Sequence, residues 1–562
     1  MKQYKIIIED RNYTNWEICD AMTHEIVNID INPCKLKLFN HDVFTYDENN
    51  NSCNIIHSIV KNSIQIPGVL ILDGSMYGKH KNKYIYKCIP DDKHLPIFLI
   101  PYEEKNIGFS KKKINKYITF QYTLWEKNHP EAIIKNNIGS VDELNNFYEY
   151  QLFCKSINAS IQGFGKDARK AINKISSKKT FHDIENNSNI KRRDDYIFSI
   201  DGNNTQDFDD AFSVNIKDDI TILSIYITNV AVWMDVTNLW SSFSERISSI
   251  YLPDRKRPML PTILSNILCS LYKGQDRIAL VMDIYLKDND IEKVEYNNCI
   301  INVSENFYYD EIDTSNKHYI NLKKAANIIF DKYKLTKHVD NSKDIVAYLM
   351  MFMNYYTSTI FVQHNCGIYR SLTSSQCEVP ISLPKKLRKF IQIWNSSSGQ
   401  YTLDALNSHD LLKFDSYIHI TSPMRRLIDL LNIISIQKIY GLYTFSNDVD
   451  KFYEKWISKI DYINTTTRSI RKIQLDCNLL HWCNSQEDLN VKTFEGYVFD
   501  KLEKADDLFQ YIVYISEINM ASKITTRENI NNYTKCIFSL HIFNKKDSFK
   551  RKVRLNLISV SD

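Results

Sequence analysis

Four carboxylates fall within ten residues of the stretch SIDGNNTQDFDDAFSV, Ser199 to Val214: Asp201, Asp207, Asp209 and Asp210. Large apolar side chains, Ile200, Phe208 and Phe212, stand among them and belong in a core. In an extended chain Asp207 and Asp209 share a face, and a turn brings in Asp210 and Asp201. Anions that converge beside apolar groups repel strongly at low dielectric. Burying them without a counter-charge is costly. Divalent cations relieve both, and hard oxygen ligands select Mg²⁺, or Mn²⁺ in its place, over zinc. A solvated acidic loop is the plain alternative. A calcium loop of the EF-hand kind fails, because Gln206 stands where it needs glycine and Phe212 where it needs the closing glutamate.

A second constellation is YIHITSPMRRLIDLL, Tyr417 to Leu431. Ser422 followed by Pro423 reads as a helix start, with Ser as N-cap and Pro at the first helical position. Arg425 and Arg426 then fall in the first turn, where cations oppose the helix dipole unless an anion arrives. Free N–H groups and two guanidinium forks make a phosphate site. Asp429, four residues after Arg425, is placed to orient it. Alone, the stretch reads equally as a solvated helix end with a surface ion pair. Together, the carboxylates and the arginines are equipment for attacking a phosphodiester.

The elements that must position these groups follow from periodicity. Residues 196–201 alternate as a strand, Gly202 to Gln206 make a polar loop, and Phe212, Val214 and Ile216 alternate in a second strand. That strand turns at Asp218-Asp219 and returns through ITILSIYITNVAV. In DIVAYLMMFMNYYTSTIFVQHNCG, Ile345, Leu349, Met353, Tyr356 and Ile360 form one helical stripe, with Gly367 as its stop. The first ~155 residues read as short strands and turns that suit two small β-barrels. A polar stretch, Ser176 to Asp195, reads as a linker. Alternation returns after about 490 and ends in the basic FKRKVRLNL, a third candidate barrel.

The chain has 562 residues, 43% hydrophobic and 25% charged, enough for several domains with a large core. A net charge of +4 supplies no global field, so a nucleic-acid partner would need a local basic surface. No run approaches 18 uninterrupted apolar residues, so no transmembrane span is expected. The start, with Glu9 and Asp10, does not read as a secretory signal, and cytoplasm is the default compartment. The twelve cysteines include no C-x-x-C pair, and neither Cys366 with Cys377 nor Cys477 with Cys483 has zinc-ligand spacing; reduced, structural thiols are expected.

D-x5-D-x-D-D with a following strand, YLPDRKRPMLPTILSNILCSL (251–271), DRIAL (276–280) and HITSPMRRLID (419–429) occur here in one order. This resembles the RNB family of exoribonucleases: RNase II, RNase R and the catalytic subunit of the exosome. The resemblance covers about 195–440. It implies a multidomain α+β chain whose RNB catalytic domain, a mixed sheet with packed helices, is flanked by OB-type barrels, two N-terminal and one C-terminal. The boundaries expected are a cold-shock-like barrel at 1–108, a second at 109–160, a linker at 161–194, the catalytic domain at 195–485 and an RNA-binding barrel at 486–562.

The implied activity is hydrolysis of single-stranded RNA from its 3′ end to nucleoside 5′-monophosphates by a two-Mg²⁺ mechanism, usually processive. The match assigns the metals to Asp201, Asp207, Asp209 and Asp210, with Asp209 ranked first and Asp210 beside it in catalysis. It assigns the phosphate near the scissile bond to Arg425, helped by Arg426. Tyr251 matches an aromatic that stacks on the terminal bases, and Tyr309 another near the 3′ end. The partners implied are RNA and a larger RNA-decay complex, with no membrane. The chain departs from the family where His-Ile-Ala-Asp-Val becomes YITNV, with Tyr226 and Asn229. It departs again where a Glu-Glu pair becomes Ala347 and Tyr348, and where Leu427 replaces an aromatic. Those departures motivate a second reading, a protein that grips RNA without cutting it; a deoxyribonuclease with the same metals is a third.

Overall fold

The computed structural model describes residues 2–48, 50, 52–103, 113–175, 181, 184–185, 190–203, 205–335, 339–371, 379–397, 399–405, 415–489, 491–545 and 550–561. Two compact units are discontinuous in sequence. One comprises Met1–Asn158, Leu252–Asp254 and Lys472–Asp562, the other Ala159–Tyr251 and Arg255–Arg471.

In the first unit, β1 (Tyr4–Ile8), β2 (Trp16–Asp20), β3 (Val43–Asp47) and β4 (Ser52–His57) make a four-stranded sheet in the order β2-β1-β3-β4. Next come β5 (Ile66–Ile71), β6 (Lys79–His80), β7 (Lys83–Pro90), β8 (Phe98–Tyr102), β9 (Lys116–Leu124) and β10 (Glu131–Ser140). β5 pairs with β7, β7 with β8, β8 in parallel with β10, β10 with β9, and β9 with β5. That ring of pairings closes a five-stranded barrel. Gly68 permits the closure: a Cβ there would lie 2.9 Å from both Cys88 Sγ and a Phe120 ring carbon. The expected boundary at 108/109 is therefore corrected. It cuts this barrel between β8 and β9, and strand pairing places the division between His57 and Ile66. The four-stranded sheet does not close on its own; it shares one apolar core with the barrel, including Leu38, Phe39, Phe44, Leu70, Phe98 and Phe120.

The second unit begins with the helix Gln162–Lys174, so the expected linker at 161–194 is also corrected. Phe164, Ala168 and Ile172 are buried on one face of that helix. Phe181 is buried edge-on against Trp233, and the first strand already starts at Lys191; residues 176–180, 182, 183 and 186–189 of the expected linker lie outside the described residues. The strands are β11 (Lys191–Asp201), β12 (Asp210–Lys217), β13 (Ile220–Thr228), β14 (Ile250–Tyr251), β15 (Lys256–Arg257), β16 (Asp276–Lys287), β17 (Asp290–Tyr308), β18 (Tyr369–Ser371) and β19 (Gln400–Thr402).

The expected mixed sheet closes on itself as a barrel, β11-β12-β13-β16-β17, with β11 parallel to β17 and the other neighbours antiparallel. Ile197, Ala211, Tyr226, Ala279, Val281 and Ile301 pack together as part of its core. Tyr226 is wholly buried, and its hydroxyl meets Ser213 Oγ at 2.9 Å. Asn229 caps the helix Val230–Val236 through Val232 N–H and donates to Asn298 and Gln437, so this departure from the family pattern is absorbed in a neutral buried network.

The helix Ser342–Gln363 follows expectation, with Ile345, Leu349, Met353 and Ile360 buried and Tyr356 partly so. It is long and apolar enough to cross a membrane, but 61% of its most apolar stretch is packed inside the unit, as in a core helix. The chain leaves it through Gly367 at φ +92°, where a Cβ would strike the Phe361 ring. The long helix Ile460–Asn484 passes from the second unit into the first at Arg471, ahead of the expected boundary at 485.

Within the first unit, β20 (Thr493–Lys504), β21 (Leu508–Ile515), β22 (Met520–Thr526), β23 (Lys535–Lys545) and β24 (Lys550–Val560) form an antiparallel sheet in the order β22-β21-β20-β23-β24. No disulfide joins the described cysteines; Cys377 lies outside them.

Candidate active site

Asp201 ends β11, Asp210 opens β12, and the loop between them carries Asp207 and Asp209. Phe208 explains the apolar residues in this acidic stretch. It is buried edge-on against Tyr272, its N–H donates to Ser270 Oγ at 2.9 Å, and its carbonyl accepts from Leu271 N–H at 3.0 Å. Tyr272 Oη donates to the Gln206 carbonyl at 2.6 Å. The loop is thus pinned from outside while its carboxylates turn inward.

Asp209 is 4% exposed. One oxygen accepts from Met424 N–H at 3.3 Å and the other from Arg425 Nε at 3.1 Å. Asp201 and Asp210 each keep one buried oxygen with no hydrogen-bond partner. Burial, then Asp209, pushes the Asp201 carboxyl up to about 7, against a hydrogen bond with Ser199 and the charge of Arg425. Burial, then Asp201 and Asp209, drives Asp210 well above the carboxylate range. Burial raises Asp209 too, with Arg425 opposing.

Asp207 is placed differently from the expected quartet: its carboxylate is held by the Lys256 ammonium. Among the described residues, no three His, Cys, Asp or Glu side chains are gathered closely enough to form a ready metal nest. The structure therefore brings Asp201, Asp209 and Asp210 into one electrostatic cluster and ties Asp207 to a lysine.

The arginine turn departs from expectation in one respect. The helix begins at Leu427, not Pro423, and runs to Ile439. Ser422 is not its N-cap. Ser422 N–H donates to Asp429 Oδ1 at 2.8 Å, and Ser422 Oγ accepts from Arg425 at 2.9 Å. Asp429, in the helix's first turn and fully buried, pairs with Arg426 at 2.8 Å and not with Arg425. This local hydrogen bonding outcompetes the Ser-Pro start, because Ser422–Arg426 wraps as a turn around the Asp429 carboxylate. The segment Ile247–Ser249 holds the turn from the other side. Ser249 N–H donates to the Arg425 carbonyl at 3.0 Å and Leu427 N–H to the Ile247 carbonyl at 2.9 Å. Arg425 is left with its guanidinium on Asp209; burial weakens its charged state, but Asp209 and Tyr251 raise it on balance.

Tyr251 is 42% exposed and faces Lys256 across the β14–β15 hairpin, the ammonium 5.8 Å from its ring centre. Burial, then Arg425, holds Lys256 down at about 8 even with Asp207 against it. Tyr309 N–H donates to the Asp201 carbonyl at 2.9 Å, which ties the end of β17 to the cluster. Burial, then Asp210 and Asp201, pushes its phenol up to about 12. Lys256 is the site residue that sequence reasoning missed. Its signal was present in YLPDRKRPML: a lysine one hairpin turn from Tyr251.

The donor chemistry, in side chains not gathered into a nest, suits a hard divalent ion: two orphaned carboxylate oxygens and a third acid, all disfavouring ionisation until positive charge arrives. A pH test follows. Between 3.8 and about 7 the folded chain holds a proton on Asp201 that the unfolded chain has lost. Metal-free stability should therefore fall as pH rises through that window, and be unaffected by Asp201 below it. Thermal melts in EDTA from pH 4 to 8 should show this decline, flattened in Asp201→Asn, and Mg²⁺ should restore stability at the upper end.

Residues 190–349 match the family model described as RNB domain. Ribonuclease R of Mycoplasmopsis pulmonis is 32% identical over 232 residues, 40% of this chain and 31% of that protein. Exoribonuclease 2 of Psychromonas ingrahamii is 35% identical over 98 residues, 17% of this chain and 15% of that one. The chain thus spans about a third or less of the length of these curated relatives. Among solved structures, Mycoplasma genitalium RNase R in complex with ribose methylated single-stranded RNA superposes with a TM-score of 0.69 at 16% identity, covering 99% of this chain and 100% of that one. Yeast Ssd1, described as a pseudonuclease, superposes with a TM-score of 0.54 at 12% identity, covering 95% and 80%. The fold is that of RNase R, with OB-type barrels beside an α+β domain. Motif order, barrel and carboxylate cluster thus fall together in and beside the segment, residues 190–349, that matches the RNB-domain model.

Proposed function

We propose that this chain is a 3′→5′ exoribonuclease that hydrolyses single-stranded RNA to nucleoside 5′-monophosphates, processively and with Mg²⁺. The observation that carries the reading is the buried cluster of Asp201, Asp209 and Asp210 with Arg425 laid against it. Relatives named Ribonuclease R and Exoribonuclease 2, and an RNase R solved with double-stranded as well as single-stranded RNA, support it.

Asp201, Asp209 and Asp210 would hold the ion, and Asp207 would join a second site on leaving Lys256. Bound there, a divalent ion supplies a water of lowered pKa and neutralises charge on the phosphoryl oxygens. The chain's own groups do the rest. Arg425, already oriented by Ser422, offers guanidinium N–H groups to the phosphate beside the scissile bond. Arg426, committed to Asp429, braces the turn. Tyr251 presents a half-exposed ring on which any base can stack, and Tyr309 stands near Asp201 and Asp210. Contacts to 2′-hydroxyls would favour RNA over DNA.

Product analysis tests the proposal. End-labelled single-stranded RNA with Mg²⁺ should give nucleoside 5′-monophosphates from the 3′ end, with none in EDTA. Internal fragments, or equal attack on single-stranded DNA, would overturn it. The second reading, binding without cleavage, is favoured by one observation: Arg425 and Lys256 both sit on carboxylates that an ion would need. It predicts RNA retention with no mononucleotide under any divalent ion.

A further inference from the structure

Lys256 is drawn from the β14–β15 hairpin onto the carboxylate loop, and the function proposed above gives it no role beyond releasing Asp207. Its ammonium contacts Asp207 and lies 5.8 Å from the centre of the Tyr251 ring. Both partners of the ion pair are largely enclosed, the lysine side chain 24% exposed and the aspartate 13%. The hairpin is short, two residues per strand, and pairs Tyr251 directly with Lys256. The register that aims the aromatic ring therefore also aims the ammonium. The neighbouring Arg257 is 5% exposed, and its guanidinium donates to the Arg255 carbonyl at 3.0 Å, a contact within the hairpin itself.

A tethered ammonium beside a carboxylate supplies one positive charge and takes up oxygen lone pairs that a metal would otherwise coordinate. Asp201 and Asp210, by contrast, keep buried oxygens with no partner. The four aspartates are thus divided. Two hold oxygens ready for an ion, Asp209 is shared with Arg425, and Asp207 is already neutralised from within the chain.

We propose that Lys256 is a built-in cation that competes with a divalent ion for Asp207, so that the resting site takes a single ion at Asp201, Asp209 and Asp210 and admits a second only when Lys256 is displaced. The inference rests on the metal-dependent reading above, and it makes Lys256 a positioning residue that couples the Tyr251 platform to the carboxylate loop. An incoming RNA phosphate is a natural rival for the ammonium. A nucleotide stacked on Tyr251 brings that phosphate beside Lys256 and frees Asp207.

Metal binding to the full-length chain tests this without any turnover, using Mn²⁺ as the probe in calorimetry and in paramagnetic titration. The unaltered chain should bind one Mn²⁺ tightly. Lys256→Met should bind a second, or tighten total binding about tenfold, whereas Lys256→Arg should match the unaltered chain. Asp207→Asn in the presence of Lys256 should change Mn²⁺ affinity less than about twofold, while Asp201→Asn should lower it at least tenfold. In the Lys256→Met background, Asp207→Asn should erase the gain, a coupling that a merely structural lysine does not produce. The Asp207→Asn arm keeps the test decisive should Lys256→Met fold poorly. Equal stoichiometry and affinity with and without the lysine would overturn the proposal and leave the nuclease reading standing. Absence of Mn²⁺ binding in every form would sink both.

Discussion

Asp209→Asn is expected to cut mononucleotide release by about three orders of magnitude, equivalent to ~4 kcal/mol of transition-state stabilisation, while RNA affinity stays within about threefold. Asp209 is the member of the cluster on which two supports converge: Met424 N–H on one oxygen and Arg425 Nε on the other. An asparagine has one acceptor, so whichever way the amide turns, its NH₂ group faces one of these donors. If it faces Arg425, the guanidinium loses its anchor and leaves the scissile phosphate. If it faces Met424, the turn that carries Arg425 shifts. The charge needed to attract an ion falls in either case. Stability should move the other way. Removing one of three mutually repelling, buried acids relieves Asp201 and Asp210, so the metal-free variant should melt higher than the parent. Single-turnover digestion of 3′-labelled RNA, equilibrium binding in EDTA and a thermal melt check the three parts. Turnover within tenfold of the parent would remove Asp209 from the chemistry.

Much of the site was legible because its parts are local. The alternation through Ile197, Ser199 and Asp201, the polar loop and the return through Phe212 and Val214 define β11, the acidic loop and β12 within one short stretch. Arg425 and Arg426 were legible as a pair with an acid beside them. Which arginine takes that acid was not. Ser422 N–H and Arg426 converge on the same Asp429 oxygen while Arg425 is turned to Asp209 and Ser422 Oγ, an arrangement set by turn geometry and not by spacing. Lys256 was hidden for a related reason: its partner Asp207 arrives through tertiary folding, far away in sequence.

The barrels were legible as strands and illegible as partitions. Each hairpin, such as Lys116–Leu124 with Glu131–Ser140, announces itself through alternation and a turn. Membership of a barrel depends on the strand that closes it. Here Ile66–Ile71 pairs with Lys116–Leu124 across an intervening polar run, YEEKNIGFSKKK, which reads as a boundary. The same holds for the catalytic barrel, where the parallel partner of β11 is β17, the last strand of the set.

That closure underlies the largest stability effect expected outside the active site, at Asp283. The residue is 2% exposed inside the barrel and accepts two hydrogen bonds from Arg193, at 2.6 and 2.8 Å, and one from Ser224 Oγ at 2.6 Å. Arg193 lies on β11 and Asp283 on β16, strands that are not neighbours in the sheet, so the pair spans the barrel interior. Asp283→Ala leaves a guanidinium beside Tyr226 and Ser224 with only Asp195, 3.9 Å away, as a counter-charge, and breaking such a buried pair from one side costs up to about 3–5 kcal/mol. Asp283→Asn keeps an acceptor for the guanidinium and for Ser224 and should lose markedly less. The loss should also reach the site. Arg193 lies near the start of β11 and Asp201 at its end, so the strand that anchors Arg193 is the one that delivers Asp201 to the cluster. Urea unfolding should show the alanine variant with a lower midpoint than the asparagine variant. At a temperature where both remain folded, the alanine variant should also bind Mn²⁺ more weakly. Equal midpoints for alanine, asparagine and the parent would mean that the Arg193–Asp283 pair contributes nothing to holding the barrel, and that Asp201 is positioned by the Ser199 and Tyr309 hydrogen bonds alone.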